Sequence, residues 1–188
     1  EPGKPLGFLD AHIQCGDALV GVFDPVVLQD GIPDEAYKPL TGDEKTVCSS
    51  LKKENSGYRK TSRKGGGLQG SLDLFAKPTR SQSQQQLEAI QAMPDSSLAE
   101  QAAKQRAYEQ WEQESNTDSE TLAAHLFTAA FFLGKTSATR SEVPTTEHLL
   151  QLLAGQSISE TIEQAVLKAA IDFRFFHWHL RFGEVMEQ

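Results

Sequence analysis

Between residues 81 and 173 the apolar side chains recur at helical rather than strand spacing, and that period constrains the fold of this chain more than any other feature. Leu122, Leu126, Ala129, Ala130 and Leu133 follow at three- and four-residue steps, and Phe127, Phe131 and Phe132 widen the apolar surface. Such width predicts a helix buried between neighbours, capped by Thr117 or Asp118 and ended by Gly134. Pro144 and Thr145 open a second helix through Leu149, Leu150, Leu152 and Leu153, closed by Gly155. Residues 157–160 read as a capping box, with Ser157 and Glu160 satisfying reciprocal backbone donors. They head the longest amphipathic segment, whose inner face is Ile158, Ile162, Val166, Ala169, Ala170 and Phe173. Upstream, residues 81–92 form a Gln-rich helix with Leu87 and Ile90 on one side, broken by Pro94. Asp95 or Ser96 caps the next helix, where Ala99, Ala103, Ala107 and Trp111 make a narrow stripe suited to close helix approach.

The ends of the chain change period. Residues 9–22 read LDAHIQCGDALVGV, in which Ala11, Ile13 and Cys15 alternate with His12, Gln14 and Gly16. A half-buried strand is expected there, turning at Gly16-Asp17. Asp17 then stands at a strand's exit, where open α/β sheets bind their ligands; an Asx-turn is the other use of the same carboxylate. At the far end Phe176, Trp178, Leu180 and Phe182 alternate with His177, His179 and Arg181. That pattern predicts an extended segment laid across a core, each large apolar group contributing roughly 1.5–3 kcal/mol when fully buried.

Residues 23–39 hold three prolines and Gly31, and read as an ordered loop with one helical turn at residues 25–28. A short helix is expected to start at residues 41–44 and run to about residue 54. Lys52, Lys53, Arg59, Lys60, Arg63 and Lys64 then lead into Gly65-Gly66-Gly67. This composition is flexible and could wrap a phosphate backbone; a solvated, partly disordered linker is the alternative. The chain is therefore expected to be mainly α with a minor β component. It divides into residues 1–40, a linker at 41–80, a helical insertion at 81–174 and an extended return at 175–188.

A net charge of −8 argues against the whole surface being a nucleic-acid footprint, so any DNA contact must be local. Cys15 and Cys48 lack CxxC spacing and make neither a disulfide framework nor a zinc ribbon, which fits a reducing cytoplasm. No apolar run reaches membrane-spanning length, so no membrane partner is expected.

Several words in the sequence are similar to those of a known family. They are Gly3-Lys4-Pro5-Leu6, Leu9-Asp10-Ala11-His12, Cys15-Gly16-Asp17-Ala18-Leu19-Val20-Gly21, Gly31-Ile32-Pro33-Asp34-Glu35-Ala36 and Gly42-Asp43-Glu44-Lys45. With Phe175-Phe176-His177-Trp178-His179-Leu180 and Glu184-Val185, they resemble the large Eco57I-like adenine-specific DNA methyltransferases of restriction-modification and phage-defence systems. The match is dense at both ends and thin between. The resemblance implies an S-adenosylmethionine cofactor and double-stranded DNA as substrate. It also implies a helical insertion attached to one or two strands of an incomplete Rossmann-like methyltransferase sheet. Carried over, Asp17 would face the cofactor's adenine amino group, framed by Cys15, Gly16, Ala18 and Leu19, with Ala18 where the family usually has Ser. Near the far end Gly183 and Met186 replace the family's usual Pro and aromatic residue. The family's Gly-rich cofactor loop is expected before Glu1 and its Asn-Pro-Pro-aromatic catalytic motif after Gln188. The chain thus reads as an internal piece of a larger enzyme, inactive alone and partnered by the rest of the methyltransferase.

Other chemistry is thinly supported. Asp24-Pro25-Val26-Val27 lacks the second proline and the aromatic residue on which a flipped adenine would stack. His177 and His179 share one side of a strand but have no third metal ligand, and packed histidines are the expectation. Trp111, near Lys104 and Arg106, reads as a core or interface residue before a base-stacking one. Gly65-Gly66-Gly67 is not followed by the Lys-Ser/Thr of a nucleotide-binding loop. The rival to the methyltransferase reading is a non-catalytic helical module that binds protein or DNA.

Overall fold

A computed structural model describes residues 13–65, 82–115 and 118–182 of the chain. Expectations for residues 9–12, for Gly66 and Gly67, for Thr117 and for residues 183–188 lie outside the described residues. The fold is mainly helical. In order, the helices are α1 (Val26–Gln29), α2 (Lys45–Gly65), α3 (Gln82–Gln91), α4 (Leu98–Ser115), α5 (Ser119–Phe132), α6 (Thr146–Leu153), α7 (Glu160–Asp172) and α8 (Trp178–Arg181). Short 3-10 turns occupy Asp34–Tyr37 and Arg140–Glu142. No strand is formed among the described residues; an isolated parallel bridge joins Asp17 to Phe175. No described helix is long and apolar enough to cross a membrane.

The core is built around α5, the apolar helix foreseen from its wide surface. Leu122, Ala123, Leu126, Ala129 and Ala130 are buried, and the alanines let α6 and α7 come close through Leu149, Leu152, Ile162, Val166 and Ala169. Asp118 caps α5 by accepting from Thr121 N at 2.7 Å. Phe173, expected inside, is 43 % exposed, because α7 has ended and the chain is already turning away.

α2 departs most from expectation. It continues eleven residues past Glu54 to Gly65, since the Lys, Arg and Ser run contains no proline and its charges favour a solvated helix face. Its inner side places Val47, Cys48, Leu51 and Asn55 toward the Asp34–Tyr37 turn and α6. Asn55 is fully buried. Its amide donates to Ile32 O (2.7 Å), and its oxygen accepts from the Thr146 N–H and hydroxyl (both 2.8 Å). Gly31 adopts φ +72° beside this knot, where a Cβ would meet the Thr146 side chain at 2.7 Å.

Two caps shift within Ser-rich runs. α4 is capped by Ser97, whose hydroxyl accepts from Glu100 N while Glu100 accepts from Ser97 N, rather than by Asp95 or Ser96. α7 is capped by Ser159, so Glu160 is its first residue and not the third of a box begun at Ser157. The buried face of α4 is Lys104, Tyr108, Trp111 and Ser115, with Ala99 exposed. The reason is electrostatic: the Lys104 ammonium donates to Gln91 O (2.8 Å) and Met93 O (3.0 Å), covering the carbonyls left over where α3 ends.

Candidate functional site

The two ends of the described chain meet in a seam. After α7, Arg174 takes φ 51° and Phe175 N donates to Ala170 O, which reverses the chain. Residues 174–178 then run parallel to residues 17–22. Asp17 N donates to Arg174 O (2.8 Å), Phe176 N to Val20 O (2.8 Å) and Trp178 N to Val22 O (3.1 Å). The Trp178 indole donates to Ala18 O at 3.0 Å. Two glycines permit the approach. A Cβ at Gly16 would lie 2.5 Å from the Phe176 ring, and one at Gly21 would collide with Phe176 O. Residues 175–177 are extended as expected, but Trp178–Arg181 forms a helical turn in place of further strand. Residues 13–15, expected in a strand, make no ladder.

Beneath the seam lies a histidine pair that period-based reading did not foresee. His177 and His125 are both buried, and their rings join through Nε2 and Nδ1 at 2.8 Å. His177 Nδ1 accepts from Val22 N–H (2.9 Å), so the proton of neutral His177 is on Nε2 and is donated to His125 Nδ1. Burial first, then the neighbouring His125, His179 and Arg181, pushes His177 down to about 2. Burial and Arg181 push His125 down to about 4. His179 Nδ1 sits 3.2 Å from Val22 O, and burial lowers its proton affinity as well. The adjoining void, bordered by Trp111, Ser115 and Thr121, measures about 20 Å³. That is room for a single water, and the bonds of the pair to Val22 and to each other tie the seam to α5. One signal was available: position 125 lies three residues past Leu122 and four before Ala129, inside the buried stripe.

Above the seam, Cys15, Gly16, Asp17, Ala18 and Leu19 form one contiguous exposed strip. Asp17 Oδ1 accepts from Leu19 N at 3.1 Å, the Asx-turn foreseen as the alternative, and this turn holds the carboxylate at the surface. Such a strip can offer a carboxylate acceptor and backbone groups to a ligand.

The six basic residues expected to contact DNA all fall within α2. Lys52, Lys53 and Lys60 are exposed. Arg59 turns inward instead, donating to Asp30 O (3.0 Å) and pairing with Asp34 (3.8 Å). The side chains of Arg63 and Lys64 lie outside the described residues. Trp111 is buried against α3 and donates from Nε1 to Ser83 O at 2.9 Å. Among the described residues no group of three or more His, Cys, Asp or Glu side chains could hold a metal ion. No family model, curated protein or solved structure matches the chain.

Proposed function

We propose that this chain is part of an S-adenosylmethionine-dependent DNA adenine-N6 methyltransferase of a restriction-modification or phage-defence system, working in the cytoplasm. In this reading the strip at residues 15–19 borders the adenosine end of the cofactor. Asp17 accepts a hydrogen bond from the adenine amino group, and the helices between the two seam segments are an insertion in a Rossmann-like core. The observation that carries the proposal is the seam itself. The two segments whose words resemble the methyltransferase family are as much as 160 residues apart, yet they lie parallel and hydrogen-bonded. An insertion must return the chain beside its point of departure, and the seam meets that requirement of the proposal.

A second observation supports attachment to a larger core. Leu19 (94 %), Phe23 (60 %) and Val26 (54 %) stand exposed next to the seam, where a continuing sheet would cover them. The 188 residues contain no Asn-Pro-Pro-aromatic motif, so the chain by itself transfers no methyl group to adenine. The coding DNA on both sides of the segment provides the test. A Gly-rich cofactor loop upstream and Asn-Pro-Pro-aromatic downstream are expected, and an open frame that extends both ways with neither motif overturns the proposal. The competing reading, a non-catalytic helical interaction module, is favoured by the lack of strands among the described residues. It predicts that neither flanking motif is present.

A further inference from the structure

We infer that the seam is an acid-released latch, in which one further proton on the His125–His177 pair cannot be housed without parting residues 174–182 from Val22 or from α5. Three groups stand in a row. Val22 N–H donates to His177 Nδ1 (2.9 Å), and His177 Nε2–H donates to His125 Nδ1 (2.8 Å). Neutral His125 therefore keeps its own proton on Nε2. Each nitrogen left without a proton is already an acceptor within the row. A proton added to His125 Nδ1 would confront the His177 Nε2–H. Shifting the His177 proton to Nδ1 relieves that contact but turns a second donor toward Val22 N–H. Either placement opposes two N–H groups in a buried site, which costs more than the hydrogen bond it replaces, and the His177 ring is driven out. His179 differs, because its Nδ1–H donates to Val22 O (3.2 Å) and still does so when Nε2 takes a proton.

The surroundings do not absorb the added charge. Among the described residues the charges acting on the pair are positive: Arg181 of α8 acts on both rings, and His179 on His177. Asp24, just before α1, acts on His179. From α3 and α4 the neighbours are Ser83, Trp111 and Ser115, and from α5 Thr121, none of them charged. Much depends on the row. Val22 is buried against Leu28 and Ala124, with Leu180 of α8 packed beside them. Its carbonyl accepts from Trp178 N as well as from His179, so three bonds from residues 177–179 converge on this one residue. Expelling His177 removes the bond that also reaches α5. The latch follows from the count of donors and acceptors and is independent of the methyltransferase reading.

The test is hydrogen exchange of the 188-residue chain at pH 7 and pH 5, read by mass spectrometry over residues 17–23 and 174–182 and corrected for the intrinsic exchange rate. A released histidine titrates near 6.5 while the latched pair stays neutral, so the open seam binds more protons and gains population as pH falls below that value. Two such histidines predict opening about 500-fold more frequent at pH 5 than at pH 7. His125→Asn, whose Oδ1 can accept from His177 as Nδ1 did, leaves one titrating ring and predicts a rise of about 25-fold. His177→Asn predicts the same rise and replaces it in the comparison if His125→Asn loses its helical circular dichroism at pH 7. His179→Asn is expected to keep the full change. Helices α5 to α7 should stay better protected than the seam at both pH values. Seam protection that does not fall in acid, a fall as large in the Asn variants at 125 and 177 as in the wild type, or a seam that shares the protection of α5 to α7 at each pH overturns the inference.

Discussion

The core around α5 and the hairpin of α3 and α4 are built from opposite materials. Around α5, small side chains bring helices together, and a buried Asn-Thr knot ties α2 to the first residue of α6. The hairpin holds its helices apart with Tyr108 and Trp111, packs them on Leu87 and Ile90, and buries a lysine to finish the end of α3. The difference teaches where each is vulnerable. A core of many small contacts tolerates the loss of one, but a four-residue cluster depends on its largest member.

Trp111→Ala should therefore have the largest effect, about 3–5 kcal/mol, enough to open the whole hairpin. Hydrogen exchange is expected to show α3 and α4 unprotected while α5 to α7 keep their protection. Simultaneous loss in both regions would erase the distinction. Asn55→Ala comes next, at about 3 kcal/mol, because it orphans Ile32 O and the Thr146 N–H within the core. Urea denaturation should show that loss for α5 to α7, and a change below about 1 kcal/mol would mean the knot is dispensable.

The seam gives a pH-dependent term. His125 and His177 are neutral in the fold and held at about 4 and about 2, whereas an unfolded histidine titrates near 6.5. Between those values the unfolded chain binds more protons. Stability is thus complete above pH 6.5 and declines as pH falls toward 4, by about 1.4 kcal/mol per unit for each histidine. His177→Asn keeps an acceptor for the Val22 N–H but cannot take up the proton. Its urea midpoint should fall less between pH 7 and pH 4.5 than that of the wild type, and an equal fall would remove His177 from the pH response.

Much of the helical architecture was readable from spacing, since the apolar steps of α3, α5, α6 and α7 are long enough to be unambiguous. What escaped was decided by contacts that spacing does not encode. Ser96 and Ser97, or Ser157 and Ser159, are chemically equal caps, and only the backbone's departure from helical angles selects between them. The stretch at residues 176–182 is too short for its alternation to separate an extended segment from one helical turn. The second half of α2 looks like linker because its charges lie on both flanks of a half-buried helix. Cys48, Leu51 and Asn55 mark its inner face only once Asn55 is recognised as core. At the candidate site the turn chemistry of Asp17 was readable, but the Gly16 and Gly21 contacts with Phe176 join residues too distant in sequence to foresee.

The most direct measurement of the methyltransferase proposal is a calorimetric titration of S-adenosylmethionine onto the complete enzyme that the proposal requires, as wild type and as Asp17→Ala. Loss of the one hydrogen bond proposed between Asp17 and the cofactor, about 1–3 kcal/mol, predicts a Kd raised roughly 5- to 150-fold. An unchanged Kd would contradict the placement of Asp17 in the cofactor site.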